Sequence, residues 1–156
     1  MIQGLSHITI IVKDVDRTVR LLCEGLGAEE LYDSKGKNDS ISREKFFMLG
    51  GVWLVTMEGK TSEPSYRHVA FKVNSEVLHE IECKIKHLDA KILTSRPRID
   101  GEGQSLYFYD YDNNLFELHT GDLRERLNRY NKDQADGLMD VFTPGKLTKA
   151  GEYRDI

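Results

Sequence analysis

Two histidines and one glutamate stand where a metal ion could use them. His7 is the second residue of SHITIIV (Ser6–Val12), and His68 is the second residue of RHVAFKV (Arg67–Val73). Glu117 lies between apolar residues in FELH. Two imidazoles and one carboxylate make a donor set for Mn2+, Fe2+, Zn2+ or Ni2+, and ligand type alone does not choose among them. Three protein ligands leave coordination positions open, as a catalytic metal requires and a closed structural site does not. One histidine on an apolar strand is ordinarily structural. Two in matching segments, with a glutamate whose unpaired burial would be costly, point to a cation. His119 competes as a ligand, two residues past Glu117 on the same strand face, but has no matching partner elsewhere. His79 and His87 fall on an amphipathic helix pattern and are expected in solvent.

The elements that must position this trio occur twice. SHITIIV and RHVAFKV are both strand-like, and their histidines lie about 61 residues apart. A helix pattern follows each. In the first, Val15, Thr18, Val19, Leu22 and Leu26 recur at helical spacing up to Gly25 and Gly27. In the second, Val77, Leu78, Ile81, Ile85 and Leu88 do so, with Ser75 as the expected N-cap. Both helices lead into an alanine-initiated strand, AEELYDS or AKILTS, and then to a closing pair of strands. The closing pairs are REKFFMLG with GVWLVTMEG, joined at Gly50–Gly51, and SLYFYDYD with NLFELHTG, joined at Asp112–Asn113–Asn114. Glycine, asparagine and aspartate tolerate the positive φ of hairpin turns. The unit is βαβββ, over about 4–59 and again over 66–121, and it predicts an α+β fold of curved mixed sheet around a metal pocket. Side chains alternate along strands, so His7 shares a face with Thr9, His68 with Ala70, and Glu117 with His119. Aligning Gly59 with Gly121 sets Val55 opposite Glu117, so the first half supplies a histidine and no carboxylate. Asp122–Tyr130 reads as a short charged helix closing a single domain over 1–130, and 131–156 as an arm or tail with few apolar anchors.

Composition excludes several other classes. Of 156 residues, 39% are hydrophobic and 31% charged, enough for one core and a solvated surface. A net charge of −4 without a basic stripe gives no reason to expect nucleic acid. The longest apolar run, Ile8–Val12 with Thr9 inside it, is too short to cross a membrane. MIQGLSH lacks the pattern of a secretory leader, which leads to an expectation of a cytoplasmic protein. Cys23 and Cys83 lack metal or disulfide spacing and are expected as small buried hydrophobes in a reducing compartment.

The doubled βαβββ unit with His, His and Glu resembles the vicinal oxygen chelate superfamily, which includes glyoxalase I, extradiol dioxygenases and fosfomycin-resistance proteins. SHITIIVKD, REKFF and GEGQSLYFYDYDNNLFELHTGDLRERL resemble the last group, in particular its FosX type of metal-dependent epoxide hydrolase. The resemblance covers roughly residues 1–130. It implies His7, His68 and Glu117 as ligands of Mn2+, and a phosphonate pocket near Ser105, Tyr107 and Arg126 with Thr9 nearby. Arginine and hydroxyl donors suit a dianionic phosphonate. Arg96 and Arg98 flank Pro97, which occupies the slot where glutathione-using relatives carry lysine; either arginine is a candidate phosphonate contact. Glu44, in SREKFF, matches the position of the FosX general base. The resemblance also implies a domain-swapped homodimer, with His7 from one subunit and His68 and Glu117 from the other.

The reaction so implied is hydration of (1R,2S)-epoxypropylphosphonate at C1 to the diol, with Glu44 taking a proton from the attacking water. A thiol transferase opening the same epoxide with glutathione or bacillithiol is the rival reading. Glu44 argues against it, because a thiol brings its own acidic proton. A dioxygenase or isomerase of the same superfamily fits the phosphonate motif less well, and a non-catalytic drug-binding module would have no use for three metal ligands.

Overall fold

Each half of the chain builds one four-stranded sheet with helices on a single face. The computed structural model describes residues 1–36, 40–94 and 102–135; Arg96, Arg98 and the tail beyond 135 lie outside them. The first half runs β1 (His7–Val12), α1 (Val15–Arg20), β2 (Glu29–Asp33), β3 (Glu44–Leu49) and β4 (Val52–Glu58). The second runs β5 (His68–Lys72), α2 (Ser75–His87), β6 (Lys91–Ile92), β7 (Ser105–Tyr109) and β8 (Leu115–His119), and α3 (Leu123–Ala135) follows. Sheet orders are β1-β4-β3-β2 and β5-β8-β7-β6, with β1 parallel to β4 and β5 parallel to β8.

Local chemistry explains the boundaries. Asp14 caps α1, its carboxylate accepting from the amides of Asp16 and Arg17. The helix then widens into a π-helical turn at Leu21–Gly25, which buries Leu21 and Leu22. Gly50 and Gly51 take φ of +58° and +79°, the signs a two-residue hairpin between β3 and β4 demands. Asn74, rather than Ser75, occupies the N-cap of α2, and Ser75 is already helical. Asp122 and Glu125 form a reciprocal capping box at the start of α3. That helix extends to Ala135, so residues 131–135 continue it where an arm was expected.

The core lies between the helices and the inner faces of both sheets. Phe47, Leu54, Phe108 and Phe116 meet Leu21, Leu22 and Ile85, all fully buried, in one cluster shared by the halves. Cys23 packs against it, but Cys83 is exposed on α2 with its Sγ 3.8 Å from His79 Nε2, contrary to the expected burial. His79 and His87 are in solvent. The halves are also stitched by polar bonds. Asn114 Nδ2 donates to the Ile11 carbonyl at 2.9 Å, and the Lys13 amide donates to Asp112 Oδ2 at 3.1 Å.

The outer faces remain open. On the first sheet His7, Thr9 and Ile11 lie beside Trp53, Val55 and Met57, with Phe46 and Glu44 beyond. On the second, His68, Ala70 and Lys72 lie beside Leu115, Glu117 and His119, with Ser105 and Tyr107 beyond. Val55 pairs with Thr9 as Glu117 pairs with Ala70, the equivalence read from the repeat.

Arg43 and Lys45 turn away from the open face into an ion-pair cluster with Asp16, Glu30 and Asp33. Hydrogen bonds from Arg43 hold the carboxyls of Asp33 and Asp16 below the ordinary aspartate value. Depressed folded-state values give stability that is fully present above the unfolded aspartate value, about 4, declines below it, and is lost only as pH falls through the depressed folded-state values. Arg43→Met should therefore lower the urea midpoint at pH 7, and the gap to the parent should be narrower at pH 3. An equal gap at both pH values would refute that role.

Candidate metal centre and active site

The parallel pairing of β5 with β8 sets Ala70 level with Glu117 and His68 one pleat away on the same face. His68 Nε2 lies 3.0 Å from Glu117 Oε2. The other ring nitrogen, Nδ1, is 2.7 Å from the Tyr66 carbonyl. A carbonyl only accepts, so Nδ1 carries a proton, and in the neutral ring Nε2 presents a lone pair. That lone pair faces a carboxylate oxygen, and the contact is favourable only with a cation or a proton between them. Fixing a ligand imidazole through its far nitrogen is how metal sites set the tautomer. The donor set fits a divalent cation.

Glu117 is kept ionised for such a role. Burial pushes its carboxyl up. Hydroxyl bonds from Ser105 and Tyr107, with His68 and His119 nearby, outweigh that and hold it below the usual glutamate value. Ser105 Oγ donates to Glu117 Oε1 at 2.5 Å and stands 2.8 Å from His119 Nδ1. His119 Nδ1 itself is 3.7 Å from Glu117 Oε1, so it adjoins the carboxylate mainly through the serine. Tyr107 sits edge-on to His68, with centroids 5.5 Å apart. Its phenol is driven well above the ordinary value by burial, then by Tyr66 and Glu117. Both expected phosphonate donors, Ser105 and Tyr107, are thus engaged with Glu117.

Arg126 comes from α3 and borders a cleft of about 380 Å3 shared with Ala70, Lys72, Glu117 and His119. Thr9 is exposed on the open face of the other sheet, with His7 and Glu44. His7 rests against Trp53, with ring centroids 4.6 Å apart. Glu44 is half-buried; its flanking cations point to the opposite face, and among the described residues it makes no ion pair. Nor does any group of three or more His, Cys, Asp or Glu among the described residues come close enough to hold one ion. Within one chain, then, His68 and Glu117 meet and His7 lies apart from them.

Comparison with known proteins decides the family. The glyoxalase/bleomycin resistance protein/dioxygenase superfamily model matches residues 4–118. The fosfomycin resistance protein FosX of Listeria monocytogenes is 51% identical over 133 residues, covering 85% of this chain and all of the relative. The chain belongs to the FosX group of that superfamily. A solved structure of a Listeria monocytogenes FosX mutant, complexed with Mn(II) and 1S,2S-dihydroxypropylphosphonic acid, superposes with a TM-score of 0.76 at 48% identity, covering 83% of this chain and 99% of that one. The metallothiol transferase FosB of Shouchella clausii is more distant, at 31% identity over 152 residues, with 94% of this chain and 99% of the relative covered.

Two residues of this FosX-group site escaped the reading of the sequence. Tyr66 supplies the carbonyl that sets the His68 tautomer, and its ring stands 5.1 Å from the imidazole. Trp53 forms the wall beside His7. Strand alternation carries the signal for both, because Tyr66 precedes His68 by two residues and Trp53 precedes Val55 by two.

Ser105→Ala should weaken Mn2+ binding about 10- to 100-fold, the usual effect of losing a partner that orients a ligand. Without the serine donor the Glu117 carboxyl rises, so the acid limb of the Mn2+-binding profile should move to higher pH. Calorimetric titration across pH reads both effects, and an unmoved limb would show that Ser105 does not tune the ligand.

Proposed function

We propose that this chain is a Mn2+-dependent epoxide hydrolase that inactivates fosfomycin by adding water at C1 to give the diol. The observation that carries the reading is Glu44: a carboxylate on the open face that bears His7 and Thr9, with no ion-pair partner among the described residues. A carboxylate left unpaired beside a ligand face is available to take a proton from water. The relationship agrees, since identity is 51% to a FosX and 31% to a thiol-transferring FosB. Set beside the (1R,2S) epoxide, the 1S,2S diol held by the Listeria relative is inverted at C1 alone, the outcome of back-side attack there.

His7, His68 and Glu117 would hold the ion, with His7 given by one subunit and the other two by its partner in a swapped homodimer. Two features favour that assembly. The ligands divide between two sheets of one chain, and the open faces leave Tyr32, Met48 and Tyr66 exposed. When bound, Mn2+ supplies Lewis-acid stabilisation of the charge that develops on the epoxide oxygen. Glu44 removes the water proton during attack. Arg126 and Thr9 hold the phosphonate, the guanidinium matching its oxygens in a planar fork. Ser105 directs its one hydroxyl proton at Glu117, so it serves the ligand first and reaches the phosphonate only on turning from it, while Tyr107 stands beside the same carboxylate. Among the described residues no helix is long and apolar enough to cross a membrane. Two unpaired thiols are in keeping with a cytoplasmic setting.

Glu44→Gly should leave Mn2+ affinity unchanged and abolish diol formation. The parent, incubated with fosfomycin, Mn2+ and either glutathione or bacillithiol, should yield diol by mass spectrometry and no thiol adduct. Adduct formation would favour the transferase reading, and protection at one drug per site without turnover would favour a binding protein. Full hydrolysis by the glycine variant would remove Glu44 from the mechanism.

A further inference from the structure

Arg126 can serve an anionic substrate only if α3 is held in a fixed place against the second sheet. The apolar core does not hold it. None of the described residues of α3 joins that core, and Leu123 at its start is 71% exposed. The Lys72–Asp122 pair links the helix to β5, but those side chains are 60% and 45% exposed, and surface pairs of that kind contribute little.

A second pair is of a different kind. Arg129, one turn after Arg126 on the same helix, bonds Glu102 in the loop that enters β7; the two side chains are 19% and 9% exposed. A carboxylate so buried is strongly destabilising if its partner is removed, so the contact is a firm one. The loop it grips is itself fixed to the end of β8. The Gln104 amide donates to Thr120 Oγ1 at 2.8 Å, and the Thr120 amide donates to the Gln104 carbonyl at 2.9 Å. Gly103, at φ +70°, comes so close to Gly121 that a Cβ would fall 2.6 Å from the Gly121 amide nitrogen. The residue after Gln104 is Ser105, the donor to Glu117.

We propose that the Glu102–Arg129 ion pair is a clamp that sets the position of Arg126 relative to Glu117, and that Arg129 is a positioning residue for binding the anionic group of the substrate. This rests on the function proposed above. The clamp joins the helix that brings the guanidinium to the strand that brings the ligand-tuning hydroxyl. Its release lets α3 drift while the ligand face of β5 and β8 stays intact. Substrate affinity falls, and neither metal affinity nor the proton transfer at Glu44 changes.

The test compares the full-length parent with Arg129→Met, Glu102→Gln and Arg129→Lys, each loaded with Mn2+. Arg129→Met and Glu102→Gln should raise KM for fosfomycin about tenfold, the scale of effect expected when a binding group is displaced by a fraction of an ångström. Their kcat and Mn2+ affinity should match the parent's. Arg129→Lys, which keeps the charge but not the fork, should give an intermediate KM. Methylphosphonate, titrated calorimetrically into the Mn2+ form, should lose affinity in the same order. An unchanged KM with a lowered Tm would make the pair merely structural and overturn the proposal, as would a fall in kcat at constant KM. Should Arg129→Met not fold, Arg129→Lys decides, and a parental KM there is the overturning result. If the parent itself does not hydrate fosfomycin, the functional reading fails, while the methylphosphonate series still tests the clamp.

Discussion

A lone pair pointed at a carboxylate is an unfavourable contact in water and a worse one when half-buried. The His68–Glu117 encounter at 3.0 Å is such a contact unless a cation or a proton shares it. Much of the second sheet exists to maintain it. The Tyr66 carbonyl denies Nδ1 any role except donor, and Ser105 and Tyr107 keep Glu117 ionised against the pull of burial. The parallel β5–β8 pairing fixes the spacing of the two ligands, and the buried phenylalanines beneath, Phe108 and Phe116, keep both strands from shifting. A one-residue slip would turn Glu117 into that apolar layer, where its charge would have no partner.

The same frame in the first half carries different chemistry. His7 holds the place of His68, but Val55 stands where the second half has Glu117, and Trp53 packs against the imidazole. One sheet thus offers an imidazole, a threonine and a Glu44 that has no ion-pair partner among the described residues. The other offers an ionised ligand, its hydroxyl donors and Arg126. Glu44 and Arg126 belong to different halves of the chain, so within it neither neutralises the other by direct pairing. Arg43 and Lys45 could have captured Glu44 but are committed to Asp16, Glu30 and Asp33 on the far side of β3.

How much of this could be read from residues alone follows from the kind of interaction involved. Strand alternation and helical spacing are local properties, so both βαβββ units, the Gly50–Gly51 turn and the Val55–Glu117 equivalence were visible in the pattern. The matching positions of His7 and His68 made them legible as candidate metal ligands for the same reason. Contacts across strands are not local. That Ser105 and Tyr107 lie against Glu117 depends on the β7–β8 register, which pairs Tyr107 with Glu117 and Ser105 with His119. Residues 131–135 carry no apolar stripe to announce a helix; they are helical as a continuation of a well-capped one. Cys83 follows the helix period but falls just outside the buried stripe of Leu78 and Ile85.

Candidate ligands divided between two sheets make their own demand, because the strands that bear them must be held in place relative to each other. The hairpin between β7 and β8 meets it within the chain. Asp110 accepts from the amides of Asp112 and Asn114 and from the Asn114 side chain, which shapes the turn. Asn114 and Asp112 then bond the end of β1 at Ile11 and Lys13. These are partly buried polar contacts, costly to leave unmade, so the strand that bears His7 is located by the hairpin that leads into Glu117. The two ligand-bearing strands are therefore placed relative to each other in one chain even though their ligands do not meet there.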